Sequence, residues 1–92
     1  MENKQKWVDK TAEHLGRLYD QGFGGKASGR YRIPAKLLRD IAGRRRLYED
    51  DIRDISRALI ELGFVLIDMD SFYVVTSSNS FVNYRRVNDE II

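Results

Sequence analysis

The stretch ISRALIELGFVLID, residues 55–68, changes its hydrophobic period at Gly63. Before the glycine, Ile52, Ile55, Ala58, Leu59 and Leu62 recur at three- and four-residue spacing, with Tyr48 nearby. That spacing marks one face of a helix over 48–62. After the glycine, Phe64–Asp68 and residues 72–76 are dense in Val, Ile, Phe and Tyr. They predict two strands joined by a tight turn at Met69, Asp70 and Ser71. One glycine leaves no room for a loop, so the helix must feed directly into a β-hairpin. Ile60 points away from the helical stripe and is expected to touch a neighbouring element or a second subunit.

Upstream, Trp7, Val8, Thr11, Ala12, Leu15, Leu18 and Tyr19 share one side of a helical wheel. Lys6, Asp9, Lys10, Glu13, Arg17 and Asp20 share the other, which predicts an amphipathic helix over 4–21 stopped by Gly22. His14 lies on the stripe's boundary and reads as an edge residue. The segment 22–30, GFGGKASGR, is a flexible loop by composition. It is not a phosphate-binding P-loop, because Ala27 stands where Ser or Thr would follow the lysine. Residues 31–33 predict a short extended piece. Pro34 suits the first turn of a following helix, whose buried positions are Leu37, Leu38 and Ile41 and whose end is Gly43.

The 92 residues suit one domain, with a core over about 5–77 and an extension over 78–92. The run from Phe81 to Val87 predicts a third strand or a docked tail. Phe81, Val82, Tyr84, Val87, Ile91 and Ile92 make this segment, with the first helix, a candidate homodimer contact. A hydrophobic share of 42% supports a core without staples, and the absence of cysteine excludes disulfides and thiolate metal sites. One histidine leaves triads and zinc sites short of parts. The carboxylate pairs Asp50/Asp51 and Asp68/Asp70 read as helix cap and turn. Neither an enzyme nor a cofactor or metal site is therefore expected. The longest aliphatic or aromatic run is Phe64 to Ile67, far below the roughly 20 residues of a membrane span. The charged N-terminus, with no apolar segment after it, predicts no signal peptide and a cytoplasmic location.

Net charge is only +2, but it is unevenly spread. Residues 1–25 balance. Residues 26–46 hold eight basic side chains against Asp40 alone, and residues 47–92 hold four basic against nine acidic. The border is the stretch GRRRLYEDD, residues 43–51. Glu49, Asp50 and Asp51 fall in the first turn of the third helix, where unpaired N–H groups and the macrodipole favour negative charge. Further along, Asp54 is spaced to pair with Arg57, and Arg57 with Glu61. Tyr31, between Arg30 and Arg32, is either a base-stacking residue or a core tyrosine flanked by solvated arginines.

The order helix, extended piece, helix, turn, helix, hairpin over about 7–76 resembles the winged helix-turn-helix family. The resemblance implies an α+β fold, a small winged helix-turn-helix of three helices plus a C-terminal β-hairpin. It implies double-stranded DNA as partner and transcription regulation as role, with the third helix in the major groove. Carried over, the groove-facing side of that helix holds Glu49, Asp50, Arg53, Ser56 and Arg57, and the wing tip is Met69, Asp70 and Ser71. Phosphate contacts then fall to Lys26, Arg30, Arg32, Lys36, Arg39, Arg44, Arg45 and Arg46. Arg53 and Arg57 are the candidates for base edges, because arginine forks onto guanine. The alternative is a winged-helix module that binds protein through its acidic third helix and wing.

Overall fold

The computed structural model describes residues 3–92. The first helix, α1, spans Lys4–Tyr19. Asn3 caps it by accepting the Lys6 N–H at 2.8 Å. Trp7, Val8, Ala12 and Leu15 are buried along its inner face. Thr11 is buried with them, and its hydroxyl donates to the Trp7 carbonyl at 2.7 Å, which removes the penalty of a dry polar group. The helix stops two residues short of the expected end, with Asp20 at the C-cap.

The loop that follows is tied more firmly than its composition implies. Phe23 and Lys26 exchange backbone hydrogen bonds of 3.0 and 3.1 Å. Gly24 and Gly25, at φ +60° and +82°, form the two-residue corner between them. Positive φ at both central positions is the geometry of a tight hairpin turn, which glycine adopts without steric cost. The Gly29 N–H closes the loop onto the Tyr19 carbonyl at 2.8 Å.

Residues 31–33 prove to be part of the sheet. Strand β1, Tyr31–Pro34, pairs antiparallel with β3, Phe72–Ser77, which pairs antiparallel with β2, Phe64–Asp68. The strand order is β1-β3-β2, so the expected hairpin is two-thirds of a three-stranded sheet. Tyr31 stands opposite Val75 and Ile33 opposite Tyr73. Tyr31 and Ile33 point into the core while Arg32 and Pro34 point out. Pro34 closes the strand opposite Phe72 and is the N-cap of α2, Ala35–Ala42, not a residue of its first turn. A proline is tolerated there because β1 is an edge strand.

In α2 the buried positions are Leu38 and Ala42, one turn apart, with Ile41 half-buried. Leu37 is 49% exposed, against expectation. Adjacent helical residues diverge by about 100°, so a short helix cannot turn both leucines inward. In α3, Glu49–Glu61, Ile55 and Leu59 are fully buried, with Ile52 and Ala58 half-buried around them. Leu62 is the C-cap and remains 48% exposed, so it does not join the core face assigned to it. Gly63 follows at φ +92° and turns the chain into β2. Across the hairpin end Asp70 has φ +74°, and its N–H donates to Asp68 Oδ1 at 2.8 Å. That local bond is one reason aspartate tolerates such a turn.

α1 and α3 lie side by side and run the same way. Lys4 at the start of α1 meets the first turns of α3, and Gly16 near its end lies against Phe64 just past α3. A Cβ at Gly16 would stand 3.1 Å from the Phe64 ring, so only glycine admits this approach without displacement. Leu15, Leu38, Ile55, Leu59 and Val75 form the centre where α1, α2, α3 and the sheet converge. Beyond β3, Ser78–Phe81 makes a single 3₁₀ turn. From Val82 onward the chain forms neither helix nor strand and is exposed throughout. The segment is thus neither the third strand nor the docked tail that its apolar content suggests.

The Gly63→Ala variant is expected to lose about 1–2 kcal/mol, because an L side chain in the left-handed region clashes with its own backbone. Chemical denaturation of the two proteins measures this. A loss below a few tenths of a kcal/mol would show that the turn at Gly63 relaxes freely.

Candidate nucleic-acid interface

The basic residues of the central segment do not form one patch. Arg44, Arg45 and Arg46 occupy the turn between α2 and α3, and all three are exposed. The Arg44 guanidinium lies over the Trp7 indole, 4.4 Å from the ring centroid, which fixes it to the first half of α1 by a cation–π contact. Arg53 and Arg57, one turn apart, are exposed on the outward face of α3. Among the described residues, no carboxylate forms an ion pair with any of these five arginines; the ion pairs of this region all belong to Lys4. Lys36 and Arg39 sit on α2, exposed and half-exposed.

Arg30 and Arg32 lie elsewhere. They flank Tyr31, whose hydroxyl donates to the Leu15 carbonyl at 2.6 Å. Leu15 is eight residues beyond Trp7, about 12 Å along the helix at 1.5 Å per residue. The β1 arginines therefore stand near the far end of α1 from the Arg44 turn. Arg32 reaches over the Phe72 ring, 5.8 Å from its centroid. Tyr31 itself is a core residue, 8% exposed, and burial pushes its hydroxyl pKa well above the ordinary value. Of the two readings of the Arg30-Tyr31-Arg32 triplet, the core tyrosine holds.

The acids of α3 are engaged from the side. Lys4 Nζ lies 3.1 Å from Asp50, 3.0 Å from Asp51 and 3.0 Å from Asp54. Asp51 also accepts the Tyr48 N–H at 2.9 Å, which satisfies a donor at the start of the helix. Asp54 thus faces Lys4 and not Arg57, the partner its spacing indicates. Hydrogen bonds to the three carboxylates raise the Lys4 pKa, and the Lys4 ammonium in turn holds Asp50 below the usual carboxylate range. Of the three carboxylates, Asp51 is the most enclosed, at 14% side-chain exposure, whereas Asp50, at 65%, lies open to solvent one turn from Arg53, and Glu49 and Glu61 are exposed on the same helix.

The role of Lys4 is not legible in the sequence because its partners lie 46 to 50 residues away. The one available signal is the spacing of Asp50, Asp51 and Asp54, which groups three carboxylates on one flank, more than capping requires. Among the described residues no cluster of His, Asp or Glu is arranged to hold a metal ion. No helix among them is long and apolar enough to cross a membrane. At the hairpin end, Met69, Asp70 and Ser71 are exposed. Nearby, partial burial and the Asp68 charge raise the Tyr73 pKa, with Arg39 opposing. Comparisons with protein-family models, curated proteins and solved structures gave no match to the chain.

Lys4→Met is expected to lower the thermal midpoint, with an effect that shrinks in high salt because the cluster is open to solvent. Asp50 is depressed in the fold, so its contribution is present above its ordinary 3.8 and is lost as pH falls through the folded value. Lys4 is raised, so its contribution is complete below its ordinary 10.5 and is lost as pH rises through the folded value. The difference between wild type and variant should be level between those limits and narrow outside them. Thermal melts across pH check this, and a difference that does not narrow in acid would exclude the clamp as its source.

Proposed function

We propose that this chain is a winged-helix protein that binds double-stranded DNA through the α2–α3 turn and the outward face of α3. One observation carries the reading. Arg44, Arg45, Arg46, Arg53 and Arg57 are exposed and form no ion pair among the described residues, while Asp50, Asp51 and Asp54 of the same region are held by Lys4. The Lys4 ammonium offsets three of the carboxylates that would repel a phosphate backbone, and leaves Glu49 and Glu61 exposed on the same helix. The order of elements, with α3 feeding the β2–β3 hairpin, supports the winged-helix resemblance.

In this reading Arg45 and Arg46 contact phosphates from the turn, and Arg44 does so from its seat on Trp7. Arg53 and Arg57 project from α3 at a spacing of one turn and supply base-edge contacts in the major groove. The hairpin end carries Asp68 and Asp70 and adds no phosphate grip. Control of transcription is the role that fits a small protein of this design. The reading that the acidic flank of α3 docks a protein draws less support, since Lys4 already occupies that flank.

Binding of the full chain to a random-sequence duplex across a salt series tests the proposal. Affinity should fall steeply with salt. Arg45→Glu with Arg46→Glu should weaken binding and flatten the salt slope by about 0.9 for each phosphate the variant no longer neutralises. Arg53→Ala or Arg57→Ala should relax sequence discrimination once a preferred site is found, at about 1–3 kcal/mol for each bidentate pair removed. Absence of binding at low salt would reject the reading.

A further inference from the structure

Two concavities adjoin along β1. The first is an apolar groove of about 330 Å³ between the end of α1, β1 and α2. Leu18, Phe23, Ile33, Leu37 and Ile41 give it its character. Leu37 and Phe23 stay 49% and 43% exposed at its mouth, more than a self-contained core would leave. The second is a bowl of about 450 Å³ formed by the glycine-rich loop and the start of β1. Lys26, Arg30 and Arg32 line it together with Ser28, and among the described residues no carboxylate does. Phe23, Tyr31 and Arg32 belong to both walls, so the apolar and basic halves form one composite surface.

The tail carries the complementary chemistry. Val87, Ile91 and Ile92 are exposed, Ile92 almost completely at 95%. Val87 and Ile91 share the lining of one concavity with Tyr84, which gathers apolar surface in this segment. The tail is not shapeless. Asn88 Oδ1 accepts the Glu90 N–H at 3.1 Å, and the Asn88 carbonyl accepts the Ile91 N–H at 3.1 Å. This turn presents Asp89 and Glu90 at its corner and Ile91 and Ile92 directly after. An acidic corner followed by two isoleucines matches a basic bowl followed by an apolar groove. A turn already formed also lowers the ordering cost of docking.

We propose that the 87–92 segment of a second copy of this chain docks on this surface, with Asp89 and Glu90 toward the bowl and Ile91 and Ile92 in the groove. Exchange in both directions produces a closed two-fold dimer with two identical interfaces. None of Arg44, Arg45, Arg46, Arg53 and Arg57 lines the groove, although its far wall, Asp40 and Ile41, adjoins the Arg44 turn, so the dimer leaves these five arginines uncovered. Tail exchange does not depend on DNA binding and is tested without nucleic acid.

Sedimentation velocity of the full chain over a concentration series should show a monomer–dimer equilibrium that weakens with salt. Leu37→Glu damages the groove and leaves the tail intact. Ile91→Glu with Ile92→Glu damages the tail and leaves the groove intact. All three positions are exposed, so circular dichroism should show both variants folded. Each variant alone should dimerise at least about tenfold more weakly than wild type. An equimolar mixture should recover a dimer, because one sound groove then meets one sound tail. A wild type that stays monomeric at every concentration would overturn the proposal, as would a dimer that either variant leaves unchanged. A mixture that remains monomeric when each variant alone is monomeric would overturn it too.

Discussion

Two helices packed side by side in the same direction bring the positive ends of their dipoles together, and the rest of this structure answers that constraint. α1 and α3 both begin at the end of the molecule where Lys4 lies. A lysine at a helix N-terminus is unfavourable by itself. Three carboxylates from the neighbouring helix reverse the balance: all three pair with the ammonium of α1, and Asp50 and Asp51 also lie in the first turn of α3, where its dipole favours them. The arrangement fixes the rotation of α3. With Ile55 and Leu59 turned to the core and Lys4 drawing Asp51 and Asp54 from the side, the opposite face carries Arg53 and Arg57 outward together with Glu49, Asp50 and Glu61.

The juxtaposition of basic and acidic blocks in GRRRLYEDD follows from the same geometry. The turn between two helices is short and solvated, so arginines there cost little. The acids begin where the next helix needs them. Trp7 links the halves, since its ring supports Arg44 while its helix also supplies Lys4. What looks like a single charge boundary in the chain is, in space, two opposite charges gathered around one end of α1.

Much of the fold is legible because helices and hairpins are local. The period change at Gly63 places α3 and β2 within a residue or two, and Gly43 marks the end of α2. What escapes is non-local. β1 is four residues long and is defined by a partner about forty residues on, so its sequence shows only an extended piece. Lys4 likewise acquires its meaning from α3. Leu37 misleads because composition cannot say which of two adjacent leucines a two-turn helix will bury. The tail misleads because apolar content does not distinguish burial within one copy from exposure on its surface. The basic segment suggests one surface only while sequence proximity stands in for distance along α1. Gly24 and Gly25 suggest slack, although adjacent glycines also allow the tightest hairpin corner.

The cation–π pair of Arg44 and Trp7 has an optical side. Trp7 is the chain's one tryptophan, and it is almost fully buried beneath a guanidinium. Emission from an indole responds to a cation held on its face. The protein thus carries a built-in probe on α1 beneath the turn between α2 and α3, placed where any ligand drawing on that arginine must disturb it. Its fluorescence can follow events at the turn in the unlabelled protein, with no second indole to dilute the signal.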